Sequence, residues 1–61
     1  MIERTGTLIR KDGGFALRGD DGITYRLELP RVPVDEVEKR VRVTGLASTG
    51  DFIDADGVAL L

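Results

Sequence analysis

Asp20-Asp21 is the pair of residues in this sequence that most invites a chemical reading. Two carboxylates do acid–base work when their surroundings push their pKa values apart. Here they stand between Gly19 and Gly22. Asp beside Gly is also what a tight turn uses, because its side chain bonds its own backbone. We read the pair as a water-exposed hairpin tip. The same stretch, RGDDG, contains the adhesion tripeptide Arg18-Gly19-Asp20. No Cys is present to form a disulfide, and MIERTGTLIRK lacks the apolar core of a secretion signal. An extracellular adhesion role therefore has no support.

Other reactive groups are few. The absence of His and Cys removes the commonest general base and the most nucleophilic side chain, and with them zinc-finger and thiolate metal sites. Ser48 has no base near it in sequence and falls in a turn. Asp51-Phe52-Ile53-Asp54-Ala55-Asp56-Gly57 hints at a calcium loop. With Gly57 at the position that loop reserves for Gly, its first ligand falls on Phe52, so the reading fails. Gly13-Gly14 is not followed by the Lys-Ser/Thr of a phosphate loop. The expectation is a non-enzymatic protein with no catalytic residues, no metal and no cofactor.

Basic residues offer a binding chemistry instead. Arg10, Lys11, Arg18, Arg26 and Arg42 are the candidate contacts for nucleic acid or a partner. Lys and Arg number 9 against 11 Asp and Glu, a formal net charge of -2, which argues against a strong nonspecific nucleic-acid binder.

These residues need a scaffold. A chain of 61 residues is read as one domain, residues 1–61, with a thin core that hides only about 60% of the unfolded chain's surface. Hydrophobic residues at 41% and charged ones at 33% indicate folding rather than disorder. No apolar run is long enough to cross a membrane, and the expected location is the cytoplasm.

Five strands follow from the pattern. Ile2 to Arg10 is the first, and Gly6 in its middle predicts a bulge or tight bend. Lys11-Asp12-Gly13-Gly14 is a turn. Phe15 and Leu17, then Ile23, Tyr25, Leu27 and Leu29, recur at period 2, as half-buried strands do. Apolar residues share one face only if Leu17 opposes Tyr25 and Phe15 opposes Leu27. That register demands a three-residue loop, Asp20-Asp21-Gly22, with Gly22 in the left-handed conformation. Ala16, Arg18, Thr24, Arg26 and Glu28 then face outward.

Pro30-Arg31-Val32-Pro33 ends the third strand. Val34, Val37 and Val41 at helical spacing predict a short helix of about two turns, supported by Asp35–Lys39 and Glu36–Arg40 pairs. The fourth strand is Val41 to Leu46, with Val41 and Val43 inward. The fifth begins near Phe52, is interrupted at Asp56-Gly57, and ends in apolar Val58-Ala59-Leu60-Leu61.

An all-β chain with a helix between strands three and four predicts a five-stranded OB-fold-like barrel; an SH3-like barrel is the alternative. Gly6-Thr7-Leu8, Gly14-Phe15-Ala16-Leu17, Asp21-Gly22, Tyr25-Arg26-Leu27, Val41-Arg42-Val43-Thr44-Gly45 and Phe52-Ile53-Asp54-Ala55-Asp56 resemble small uncharacterised bacterial proteins. These look like minimal OB-folds, and some are described as domains of unknown function. The resemblance implies the barrel and no reaction. One departure is Glu38-Lys39-Arg40, where such proteins often carry a helix-ending Gly. The functional expectation is a small binding module, protein-directed or self-associating, with a protein partner or a homo-oligomer. The alternative is weak binding of single-stranded nucleic acid by the basic face of strands two and three. That face lacks a stacking platform, because Tyr25 and Phe15 are assigned to the core.

Overall fold

A computed structural model describes residues 1–61, the side chain of Val34 excepted. Five strands, β1 (Ile2–Lys11), β2 (Gly14–Gly19), β3 (Thr24–Glu28), β4 (Arg40–Ala47) and β5 (Phe52–Leu60), form a closed barrel in the order β1-β2-β3-β5-β4. All pairings are antiparallel except β3 with β5, which is parallel.

β1 closes the barrel by serving two neighbours. Its first half pairs with β4, from Ile2↔Gly45 to Thr7↔Arg40. Its second half pairs with β2, from Gly6↔Gly19 to Lys11↔Gly14. Gly6 is paired on both sides, so of the bulge or tight bend expected there the bulge is absent. The Gly has another cause: a Cβ on it would lie 2.2 Å from the Arg18 carbonyl oxygen. The one register shift falls between Thr44 and Gly45, which pair with Gly57 and Ala55 and leave Asp56 unmatched. β5 is thus bulged at Asp56 rather than interrupted.

The core is the inward set that period 2 predicts, except that Ile23, at the hairpin tip, is 41% exposed. Leu8, Leu17, Val41, Val43 and Ile53 are fully enclosed, with Tyr25, Leu27 and Ala55 beside them. Phe15, Leu29, Val37 and Val58 pack against this cluster half-buried. Ala16 departs from expectation: it points outward yet is 0% exposed. In register it lies between Ile9 and Arg26, two long neighbours flanking a methyl.

The expected helix does not form. Only a 3₁₀ turn over Val34–Glu36 is present, and Val37 already has extended backbone. The reason lies in β1. The Glu38 N–H donates to the Leu8 carbonyl (2.7 Å), and the Leu8 N–H donates to the Lys39 carbonyl (3.1 Å). Those bonds continue the barrel ladder through the residues that a second helical turn would need. A helix this short has little cooperativity to set against them. Glu38 reverses the chain with φ at 67°, taking the left-handed role that a Gly would fill. The anticipated i,i+4 pairs are lost with the helix, and Arg40 turns to Asp20 instead.

Candidate functional site

The β2–β3 hairpin has the anticipated register. Leu17 opposes Tyr25, Phe15 opposes Leu27, the Gly19 N–H bonds the Ile23 carbonyl at 2.8 Å, and Gly22 has φ at 87°. The two acids of its tip are not merely solvated. Asp20 lies over the outer face, where it forms a two-pronged ion pair with the Arg40 guanidinium, one prong at 2.7 Å, and accepts the Thr5 hydroxyl at 2.8 Å. These bonds, Arg40's first, hold its carboxyl at about 2, and Asp20 raises Arg40 in return. Asp21 points to the other side of the strand. It accepts the Tyr25 hydroxyl and the Ile23 N–H, which lower its pKa in that order of importance. Arg4 donates to the same tyrosine oxygen at 3.3 Å. Both carboxyls are therefore firmly ionised at neutral pH. A general acid needs the opposite shift, and the RGDDG tip is clamped to β1 and β4.

The basic candidates do not form one patch. Arg18 and Arg26 are exposed diagonal neighbours on the outer face of β2 and β3, as expected, and among the described residues neither is in an ion pair. Arg10 lies at the far end of β1, its guanidinium 5.3 Å from the centre of the Phe15 ring. Lys11 opens the following turn. Arg42 sits on β4 opposite Thr5 and faces Glu3 at 3.7 Å, separated from Arg18 by the width of β1. An aromatic does reach the outer face: Phe52 is half-buried and in register with Arg26. The inward alternation of Ile53 and Ala55 carried that signal in the sequence.

A cleft occupies the opposite end of the β2–β3 ribbon. The parallel seam between β3 and β5 holds only from Arg26↔Phe52 to Glu28↔Asp54. Pro30 and Pro33 have no N–H to extend it, and the chain arcs away to the 3₁₀ turn. The gap is a groove of about 460 Å³ whose apolar wall includes Leu29, Pro30, Val32 and Val58. Asp35, Glu36 and Asp56 supply three carboxylates to its rim against the single cation of Arg31. A shallower depression by Phe15 and Gly14 shares Leu29 to Val32 with it. Val32 is 65% exposed. A short helix carrying Asp35 and Glu36 and a strand broken at Asp56 give no sign in the sequence that the three line one groove. The spacing of Pro30 and Pro33 was the available sign, since two prolines there forbid a long β3–β5 ladder.

Among the described residues, no group of His, Cys, Asp and Glu could hold a metal ion, and no helix is long and apolar enough to cross a membrane. No curated protein and no solved structure matches the chain. A family model does, over residues 5–61, a span that takes in β1 from Thr5 and the other four strands whole. The chain therefore belongs to the family described as protein of unknown function DUF5818.

Proposed function

We propose that this chain is a non-enzymatic binding module that takes a polypeptide in the groove between Leu29–Pro33 and β5, on a barrel of the OB type. The strand order β1-β2-β3-β5-β4 with its single parallel seam favours that architecture over an SH3-like one, whose strands run as an antiparallel meander. The observation that carries the function is the groove itself, half walled by apolar side chains, in a protein of only 61 residues. Ligand sites are typically concave and mostly apolar with a few placed charges. The ionised state of Asp20 and Asp21 and the absence of His and Cys support the non-enzymatic part.

Fluorescence anisotropy with labelled extended peptides tests this reading. Binding should weaken on Val32→Ser, a change at an exposed position that leaves the charge of the groove unaltered. Absence of peptide binding at millimolar protein would refute it.

One observation favours a second reading, weak binding of single-stranded nucleic acid. Phe52 beside Arg26, with Arg18 one step away, gives the outer face one aromatic and two free cations. Stacking contributes about 1–3 kcal/mol per base, so one ring supports only modest affinity. Such binding would fall steeply with salt and disappear in the Arg18→Ala, Arg26→Ala double variant.

A further inference from the structure

The second half of β5 has a strand on one side only. β4 pairs with it from Thr44↔Gly57 to Val41↔Leu60, and the Leu61 N–H donates to the Arg40 carbonyl at 3.0 Å. In an antiparallel ladder the residues that bond across to one neighbour alternate. Leu61, Ala59 and Gly57 therefore turn their backbone groups toward β4. Val58 and Leu60 turn theirs the other way, toward the groove that Val58 lines. Among the described residues no backbone hydrogen bond joins β5 beyond Asp54 to the segment from Leu29 to Glu36. An unpaired edge beside an apolar groove is the arrangement that accepts an added strand. Leu60, 54% exposed, extends the apolar surface past the groove.

Charge selects the occupant. The rim holds Asp35, Glu36 and Asp56 against Arg31. Two copies of this chain docked edge to edge would bring two such acidic rims together, and juxtaposed like charges are disfavoured. An incoming strand with cationic side chains on one face meets no such opposition.

We propose that the β5 edge at Val58 and Leu60 captures an extended Lys- or Arg-bearing segment of a partner protein by strand addition, with the cationic side chains against Asp35, Glu36 and Asp56. This rests on the polypeptide-directed reading above and specifies the partner's chemistry. The partner's backbone supplies the bonds that Pro30 and Pro33 withhold, and its alternate side chains divide between the apolar wall and the acidic rim.

Two extended peptides, one alternating Thr with Lys and one alternating Thr with Glu, test it on the full chain. The Lys peptide should bind about tenfold or more tightly. The exposed-site double variant Asp35→Lys, Asp56→Lys should reverse that preference while leaving the thermal melt cooperative. Amide exchange at Val58 and Leu60 should slow about tenfold or more in the complex. Equal binding of the two peptides, or groove binding without protection at Val58 and Leu60, would overturn strand capture and leave the polypeptide-directed reading intact. Binding of neither peptide would overturn both. Concentration-dependent dimers that protect the same two amides without peptide would assign the edge to a second copy, and so also overturn it.

Discussion

Asp20 shows how a residue that looks like turn filler acquires a job from its neighbours. Its ion pair with Arg40 and its bond from Thr5 tie the hairpin tip to β4 and β1, strands remote in sequence. Asp20→Asn should therefore lower the melting temperature at neutral pH rather than leave it unchanged. The pH dependence has a definite sign. The folded carboxyl titrates at about 2, below the ordinary 3.8, so folding binds fewer protons there and the pair stabilises the fold fully above that ordinary value. The stabilisation fades as pH falls through the interval to about 2, and the melting temperatures of the two proteins should converge over that range. Gly22→Val, at φ 87°, should cost roughly 1–2 kcal/mol in a denaturant melt, because a branched side chain resists the left-handed conformation. Glu38 presents the reverse opportunity. Its φ of 67° is one that Gly adopts freely, so Glu38→Gly should raise stability by about 0.5–1 kcal/mol.

At the scale of elements, what was legible followed from period 2. The alternation of Phe15, Leu17, Tyr25 and Leu27 fixed the hairpin register, because a slip by one residue would put the whole set in water. Val41 and Val43 were placed inward by the same rule. What was illegible depended on partners far along the chain. Val34, Val37 and Val41 have helical spacing, yet the carbonyl of Leu8 claims the Glu38 N–H, and nothing in the local pattern announces that competition. At Gly6 no bulge forms, and the closeness of the Arg18 backbone excludes a side chain there. Gly6→Ala should accordingly push β1 from β2 and sharply lower the denaturation midpoint, whereas the same change at Gly14, whose nearest outside neighbour for a Cβ is 3.8 Å away, should be mild. The candidate site was half legible for the same reasons. Arg18 and Arg26 were placed correctly as diagonal neighbours, but Arg42 lies across β1 from them, and the acidic groove needs the β3–β4 connection to meet the bulged part of β5.

The molecule as a whole is a barrel whose closure is uneven. Four of its seams are antiparallel ladders, and the fifth, β3 with β5, is a parallel contact of three residue pairs. In place of a packed helix, a 3₁₀ turn and two prolines leave that seam open into a groove. The same thin closure exposes the β5 edge, on which the proposed strand capture rests. A segment that pairs there would complete the sheet and lengthen the weakest seam, so saturating peptide should raise the melting temperature in proportion to the logarithm of its concentration. On the proposed function the protein meets its ligand at this seam and not on the basic outer face. A map of amide chemical shifts in the labelled chain, titrated in parallel with the Thr-Lys peptide and with a single-stranded oligonucleotide, tests it most directly. The peptide should shift Leu29, Arg31, Val32, Val58 and Leu60 while the oligonucleotide leaves them unmoved. Groove amides that the peptide leaves unmoved, together with strong oligonucleotide shifts at Arg18, Arg26 and Phe52, would contradict it.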